Sequence, residues 1–498
     1  MKVPLWLDTT DIPKYPSLDQ NITADICIVG AGITGITLAY LLRDSGLKVV
    51  LIDSDKILHG TTAYTTAKLT AQHGIIYHDL IKNFGEYNAQ LYANAQREAI
   101  EFVASQNIDC DFERKTAYVY TQQVKLIPVL EQEYKAAKQL GFDCDLVVDT
   151  ELPFPIEKAL GYHNQAQFHP LKYLVGLLKV IEPCSNVSIY EDTTATEVDQ
   201  LDDGRYQIKT QTHVNLNVKK IVQASHFPFY DGLSLLFAKI EGEKSYLAAS
   251  KQAAQKLSGM YISYEEPSRT LRQYKDYLII GGENHRVGSP VDTLQKYENI
   301  RNFAKEQFQV SEMDYEWSTQ DYLTVDKIPF VGSLNHSEIY VATGYQKWGM
   351  TNGTAAALLL HDLVLDKKNP RADLFNPYRK NLRAQIRNLV VYNGKVAYEL
   401  IKGKLMIPDE DIQLAGGESK VIQTAKGKYG VYKDEKGEIY VLDITCPHLG
   451  CELNFNRAEA TWDCPCHASR FSYKGDVIEG PAHHNLRADK NTVDPNLF

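Results

Sequence analysis

The sequence predicts an α/β chain that closes with a separate, small all-β domain. Three observations carry this. Residues 25–29 and 48–52 are short apolar strands joined through a glycine-rich turn and an apolar helical stretch. Residues about 236–316 turn to β-type alternation, with candidate antiparallel strands at 260–264, 270–274 and 277–281. From Pro408 the composition changes again, to short alternating strands, turns at Gly427 and Gly437, and loops holding four of the eight cysteines.

The 498 residues suit two to four domains, and 44% hydrophobic with 23% charged residues suits a sizeable core. A net charge of −10 without a basic block argues against nucleic acid as a partner. No run reaches eighteen apolar residues, so no membrane span is expected. The opening MKVPLWLDTTDIPKYP has neither a signal pattern nor a twin arginine, which makes cytoplasmic the expected location. Cys27, Cys110, Cys144 and Cys184 have no motif spacing and read as small core residues.

In chain order, the first strand runs into Gly30-Ala-Gly32-Ile-Thr-Gly35, then helix 36–42, then the second strand ending at Asp53. This is a βαβ dinucleotide fingerprint in its required context, and hence a Rossmann-like unit. Gly30, Gly32 and Gly35 allow the tight turn and the close approach of backbone to pyrophosphate. The helix N-terminus offers partial positive charge to the phosphates. Asp53, 23 residues after Gly30, is placed to take ribose hydroxyls. The fingerprint alone does not separate NAD from FAD.

Three later segments do. A small, hydroxyl-rich loop runs from Gly60 to Gly74 and contains Thr61, Thr66, Lys68 and His73. Asp326-Lys-Ile-Pro329-Phe-Val-Gly332 has the form D-x-x-P-x-x-G. A strand at 339–342 then leads into Thr343-Gly344-Tyr-Gln-Lys-Trp-Gly349-Met350-Thr351-Asn-Gly353. In this order the segments resemble the D-amino acid oxidase-like (DAO-like) FAD oxidoreductases over roughly residues 20–370. The resemblance implies a Rossmann-like FAD-binding domain with a β-rich substrate domain, and puts Thr61, Thr66, Lys68, Gly344, Gly349, Met350 and Thr351 at the cofactor. It also implies a helix N-terminus at the flavin's N1–C2=O edge, where charge develops on reduction. No cysteine lies between Cys184 and Cys446, so the covalent flavin link of some members is not expected and FAD is read as non-covalent.

Expected FAD-binding segments are about 20–110, 160–235 and 317–370, with substrate-domain segments about 111–159 and 236–316, the whole module filling 1–375. Helical stretches at 86–106, 124–140 and 171–180 and strands at 116–121, 188–198, 206–210 and 218–225 fill the intervals. Residues 376–407 read as a helical connector and 408–498 as the all-β domain.

That last domain contains Cys446-Pro-His448-Leu-Gly-Cys451 and, after fifteen residues from His448, Cys464-Pro-Cys466-His467. Each loop supplies one Cys and one His. Structural zinc sites usually pair like with like, whereas two thiolates on one iron and two imidazoles on the other make a [2Fe–2S] centre. The stretch, with Gly480-Pro481-Ala482, resembles the Rieske family, which implies Cys446, His448, Cys464 and His467 as ligands. The same resemblance implies a Cys451–Cys466 disulfide, unusual in a reducing compartment, and a Ser469 hydroxyl bonded to a cluster sulfur. Phe471 stands where high-potential members carry tyrosine, so an intermediate potential is expected.

Among single residues, His73 is a candidate base or substrate contact, with a plain structural role as the alternative. His226 reads as structural. Lys68 and Lys347 are candidates to offset charge on reduced flavin, against ordinary solvated lysines, and Arg269 and Arg272 to hold a carboxylate, against surface strand arginines. A Rieske oxygenase would need a further mononuclear iron site, for which no segment is evident. The combined resemblance implies an enzyme that oxidises an amine or (N-methyl) amino acid and passes electrons from FAD through the cluster to a one-electron acceptor protein or carrier. The alternatives are a reductase running from an electron carrier through the cluster to the flavin, and a non-enzymatic redox sensor.

Overall fold

A computed structural model describes residues 3–232, 234–379, 382–405, 413–424 and 427–488. The nucleotide half is an eight-stranded sheet whose spine runs Phe330–Ser333, Ile339–Thr343, Asn215–Gln223, Ile22–Val29, Val49–Ile52, Val187–Tyr190. The last five pair in parallel, and the Ala195–Gln200 and Tyr206–Thr210 hairpin adds on through Asn215–Gln223. Helix Ile33–Leu42 covers this sheet with an almost wholly buried surface. Burying Ile36, Leu38 and Leu42 completely is worth about 1.5–3 kcal/mol for each side chain. Helix Gly349–Val364 crosses it closely, because a Cβ on Gly353 would stand 2.8 Å from Ile33 Cγ2.

The second sheet has nine strands, ordered Tyr315–Thr324, Ile240–Ser250, Tyr277–Arg286, Arg269–Tyr274, Met260–Ser263, Glu113–Thr121, Lys158–Gln167, Lys68–Leu69, with Cys144–Val147 beside Lys158–Gln167. Met260–Ser263, expected to be antiparallel, is so to Arg269–Tyr274 but parallel to Glu113–Thr121. Two expected FAD-binding segments open on strands of this second sheet, Lys158–Gln167 and Tyr315–Thr324. Each is a long strand whose hydrogen bonds are made there, before the chain crosses back to the parallel sheet. The stretch 188–198 breaks into two strands, and 124–140 opens with a 3-10 turn before helix Ile127–Gln139.

Helix Leu382–Leu405 occupies the connector; the boundary expected at 407/408 lies outside the described residues. The small domain has a three-stranded sheet, Ser419–Thr424, Gly427–Lys433 and Ile439–Asp443, and a four-stranded sheet, Asn454–Asn456, Thr461–Asp463, Arg470–Ser472 and Val477–Glu479. Trp462 and Phe471 centre its core, and Val396 and Leu400 of the connector helix lie against it. No helix among the described residues is long and apolar enough to cross a membrane.

Candidate functional site

The glycine turn is shaped by contacts that side chains would break. A Cβ on Gly30, whose φ is +108°, would stand 2.5 Å from Ala224 O, and one on Gly35 would stand 1.9 Å from Gly30 O. The helix therefore sits directly on the turn. Its N-cap, Gly32, gives no side-chain cap, which suits a phosphate group there. Thr62 Oγ1 takes the Ile33 N–H at 3.1 Å. Asp53 Oδ2 accepts from Ala31 N at 2.7 Å, and burial lifts its carboxyl to about 6 despite that bond.

A cavity of about 290 Å³ opens between the second sheet and the segments 61–75 and 346–350. Thr61, Thr66 and Lys68 line it from one loop, and Lys347, Gly349 and Met350 from the closing loop and helix. Helix Gly349–Val364 begins there, again without a side-chain cap. Open helix N-termini and hydroxyl-rich walls fit the phosphates and polar ring edge of FAD. Gly344 and Thr351 stand outside the lining. Gly344 adopts φ +76°, with Thr324 Cγ2 2.3 Å from where its Cβ would be. Thr351 Oγ1 donates to Thr70 O at 2.9 Å and accepts from Thr70 N at 3.0 Å, clamping the 60–74 loop to the helix.

His73 is not among the lining residues. Its Nε2 donates to Thr70 O at 2.7 Å, its Nδ1 accepts from Tyr92 OH at 2.8 Å, and its ring stacks on Trp348. With burial pulling its pKa down to about 3, it is a neutral ring with both nitrogens engaged. Lys68 Nζ donates to Tyr261 O and Thr270 Oγ1, and burial followed by the Arg272 charge holds it well below the usual lysine range. Arg269 pairs with Glu283, and Arg272 is fully buried behind the wall, donating to Ala67 O; neither lines the cavity.

The second centre lies in the small domain. Cys446 and Cys464 are buried free thiols in contact with each other. The N–H groups of His448 and Leu449 point at the Cys446 sulfur, and those of Cys466 and His467 at the Cys464 sulfur. The rings of His448 and His467 lie 5.1 Å apart at right angles. His467 Nδ1 is buried with no hydrogen-bond partner among the described residues. Burial pulls its pKa down to about 3, leaving a neutral imidazole. Two thiols, two neutral imidazoles and an orphaned ring nitrogen fit a [2Fe–2S] cluster. The sulfurs of Cys451, Cys464 and Cys466 also lie within 4.8 Å of one another, but Cys451 and Cys466 are joined in a disulfide and so do not serve as ligands. The Ser469 hydroxyl bonds the Cys446 sulfur and accepts from Ala482 N at 3.0 Å.

Sequence reasoning missed how the two centres meet. Strand Tyr315–Thr324 separates them. Thr319 and Asp321 line the cavity. On the other face, Ser318 donates to Glu459, Gln320 Nε2 to Ala468 O at 3.0 Å and Tyr322 OH to Gly480 O at 3.2 Å. The neighbouring strand, Ile240–Ser250, repeats this. Ser245 and Leu247 line the cavity, whereas Lys244 Nζ donates to Glu459 Oε2 at 2.6 Å across the domain contact. Phe237 presses on both histidine rings, at 5.6 Å from His448 and 5.2 Å from His467. His226 Nδ1 joins Glu479 Oε1 at 2.9 Å and lies 3.3 Å from Thr61 Oγ1 on the cavity side. The available signal was the run Ser318-Thr-Gln-Asp321, polar on both faces of one strand.

Comparison with known proteins agrees with both halves. Residues 25–363 match the model of the FAD dependent oxidoreductase family (DAO), and residues 405–490 that of the Rieske [2Fe-2S] domain. A Bacillus subtilis (strain 168) protein with the provisional name Rieske 2Fe-2S iron-sulfur protein YhfW is 40% identical over 497 residues, 97% of this chain and 96% of its own. The gamma-glutamylputrescine oxidoreductase of Escherichia coli (strain K12) is 23% identical over 378 residues, 70% of this chain and 85% of its own. The L-proline dehydrogenase structure from P. horikoshii shares the fold, with a TM-score of 0.61 at 16% identity, over 73% of this chain and 98% of its own. The chain belongs to the FAD dependent oxidoreductase (DAO) family and carries a Rieske [2Fe-2S] domain behind its substrate sheet.

Proposed function

We propose that this enzyme oxidises an amine or amino acid, N-methylated ones included, at FAD and hands the electrons singly through the Rieske cluster to an outside one-electron acceptor. FAD supplies a two-electron acceptor and the cluster a one-electron carrier. One observation carries the reading: a single sheet bears the cavity on one face and loop 464–468, with the ligand candidates Cys464 and His467, on the other. A sensor that only reported oxidation would gain nothing from a cavity set one strand away. The names of two relatives, gamma-glutamylputrescine oxidoreductase and L-proline dehydrogenase, support C–N oxidation as the reaction class.

The chain's own part is positional. The closing helix directs its N-terminus at the cavity, and the Thr70–Thr351 clamp fixes that helix to the loop forming the opposite wall. The test is an anaerobic screen of amines and amino acids against the holoprotein, following the flavin absorption band and then the electron-spin signal of the reduced cluster. Flavin bleaching followed by cluster reduction is the expected result. Bleaching only by a reduced electron carrier, with no amine effective, would reverse the direction of flow.

A further inference from the structure

Charge pairing around the cavity leaves one group over. The charged side chains that act most strongly on Asp321 are His226, Lys347, Glu479 and Glu243. They form two pairs, His226 Nδ1 with Glu479 Oε1 at 2.9 Å and Lys347 Nζ with Glu243. Asp321 remains. It is 8% exposed and lines the cavity, and its carboxylate takes no hydrogen bond or ion pair from any described residue. Counted as ionised, its surroundings hold three carboxylates against two cations, both already matched, and burial lifts the Asp321 carboxyl above the usual carboxylate range.

The other charged groups lining the cavity do not change this balance. Both Lys68 bonds go to Tyr261 and Thr270, and burial drives that amine towards its neutral form. Glu266, at the exposed end, adds a further carboxylate and accepts from Ser268 N. Arg272 has open nitrogens, but it lies outside the lining, with the Trp6 ring 5.2 Å and the Tyr274 ring 5.8 Å from its guanidinium. A carboxylate withdrawn from water without a donor is costly unless a ligand supplies one.

We infer that Asp321 binds the cationic group of the substrate, the ammonium of a primary or secondary amine. The inference rests on the amine-oxidation reading and narrows it. An ammonium brings both the missing N–H donor and the missing positive charge. A carboxylate at the same place would meet the unpaired Asp321, while the nearest cations, Lys347 and His226, are already engaged by Glu243 and Glu479. Simple amines and polyamines are therefore favoured over α-amino acids, whose carboxylate travels beside the nitrogen.

The test separates binding from turnover. tert-Butylammonium has no hydrogen on the carbon bearing nitrogen, so it binds without being oxidised, and pivalate is its carboxylate counterpart of similar shape. Each is titrated into the FAD-loaded holoprotein while perturbation of the flavin absorption band is followed. We expect tert-butylammonium to perturb the band and pivalate to leave it unchanged. Asp321→Asn should weaken tert-butylammonium binding about tenfold or more, the scale of a lost charged hydrogen bond, with FAD content unchanged. Asp321→Glu should recover part of that affinity. Preference for pivalate, no response to tert-butylammonium, equal binding by Asp321→Asn, or loss of FAD from that variant with no partial recovery in Asp321→Glu would each overturn the assignment. Tight tert-butylammonium binding with no amine oxidised in the anaerobic screen would sink the oxidation reading alone. Amine oxidation with unchanged binding by Asp321→Asn would sink this inference alone.

Discussion

Gln320 reaches out of the substrate sheet and donates its side-chain amide to the carbonyl of Ala468, 3.0 Å away and next in chain to the ligand candidate His467. The residues on either side of Gln320, Thr319 and Asp321, point the opposite way and line the cavity. Successive side chains of a strand alternate in direction, so one residue's step carries the chain from cavity wall to cluster loop. The proximity of the two centres is therefore built into one strand.

The contact is held by buried charge. Glu459 is 2.6 Å from Lys244 across the interface, pairs with Arg470 in its own domain, and accepts from Ser318. Burial alone would raise its pKa, but Lys244 and Arg470 outweigh burial and hold it at about 2. Glu459→Gln should destabilise the protein by about 3–5 kcal/mol, because it strands a wholly buried lysine; chemical denaturation checks this. The sign with pH follows from a depressed carboxylate. The contribution is complete above the ordinary value of 4.5 and is lost as pH falls from there towards 2. Over that window the stability of the wild type should fall more steeply than that of the variant.

Cys446→Ser and His467→Ala should each abolish the electron-spin signal of the reduced cluster while FAD absorbance persists. The turn at Gly30 and the cavity walls come from residues 25–363, which keep their own core. A normal cluster signal in either variant would refute the ligand set.

Ser469→Ala should lower the cluster potential and Phe471→Tyr should raise it, by protein-film voltammetry. The Ser469 hydroxyl bonds the Cys446 sulfur, and such a bond favours the more negative, reduced state. If the bond is worth about 1.4 kcal/mol more in that state, its loss shifts the potential by about 60 mV. Phe471 is fully buried beside Trp462, so an added hydroxyl would sit in the domain's interior, at the position where the Rieske resemblance predicts a sulfur contact.

What could be read in the sequence was whatever depends on neighbours in the chain. The glycine turn, Asp53 and the Cys-x-His and Cys-x2-His loops are local, and each sits in the element expected of it. Strands Ile240–Ser250 and Tyr315–Thr324 were not legible, although they carry the junction. One face of each meets a cavity and the other meets a polar domain contact, so neither shows the apolar alternation that marks a half-buried strand. Lys244 and Glu459 are 215 residues apart, and only the fold reveals that each is the other's counter-ion. Thr351 sits in its expected segment but serves the Thr70 clamp rather than the cavity wall.

Two glycines make the final prediction, since they let the cluster loop lie flat on the sheet. A Cβ on Gly242 would stand 2.2 Å from Ala468 Cβ. One on Gly288, whose φ is +70°, would stand 2.4 Å from Pro465 N and 2.5 Å from Cys464 C. The second clash is with backbone, so no side-chain rotation relieves it. Overpacking of this kind costs about 1–3 kcal/mol, and the left-handed backbone at Gly288 adds to it. Gly242→Ala and Gly288→Ala should therefore loosen docking without replacing a cluster ligand or a residue of the cavity wall. Both variants should keep normal flavin and cluster spectra, expand in small-angle scattering, and reduce the cluster more slowly after the flavin is photoreduced. Gly394→Ala is the control: that connector-helix glycine has open space around it, and the change should add about 0.5–1 kcal/mol of helix stability while leaving the transfer rate alone. If Gly288→Ala transfers electrons at the wild-type rate, close seating of loop 464–468 on the sheet does not set that rate, and the route between the centres must run elsewhere.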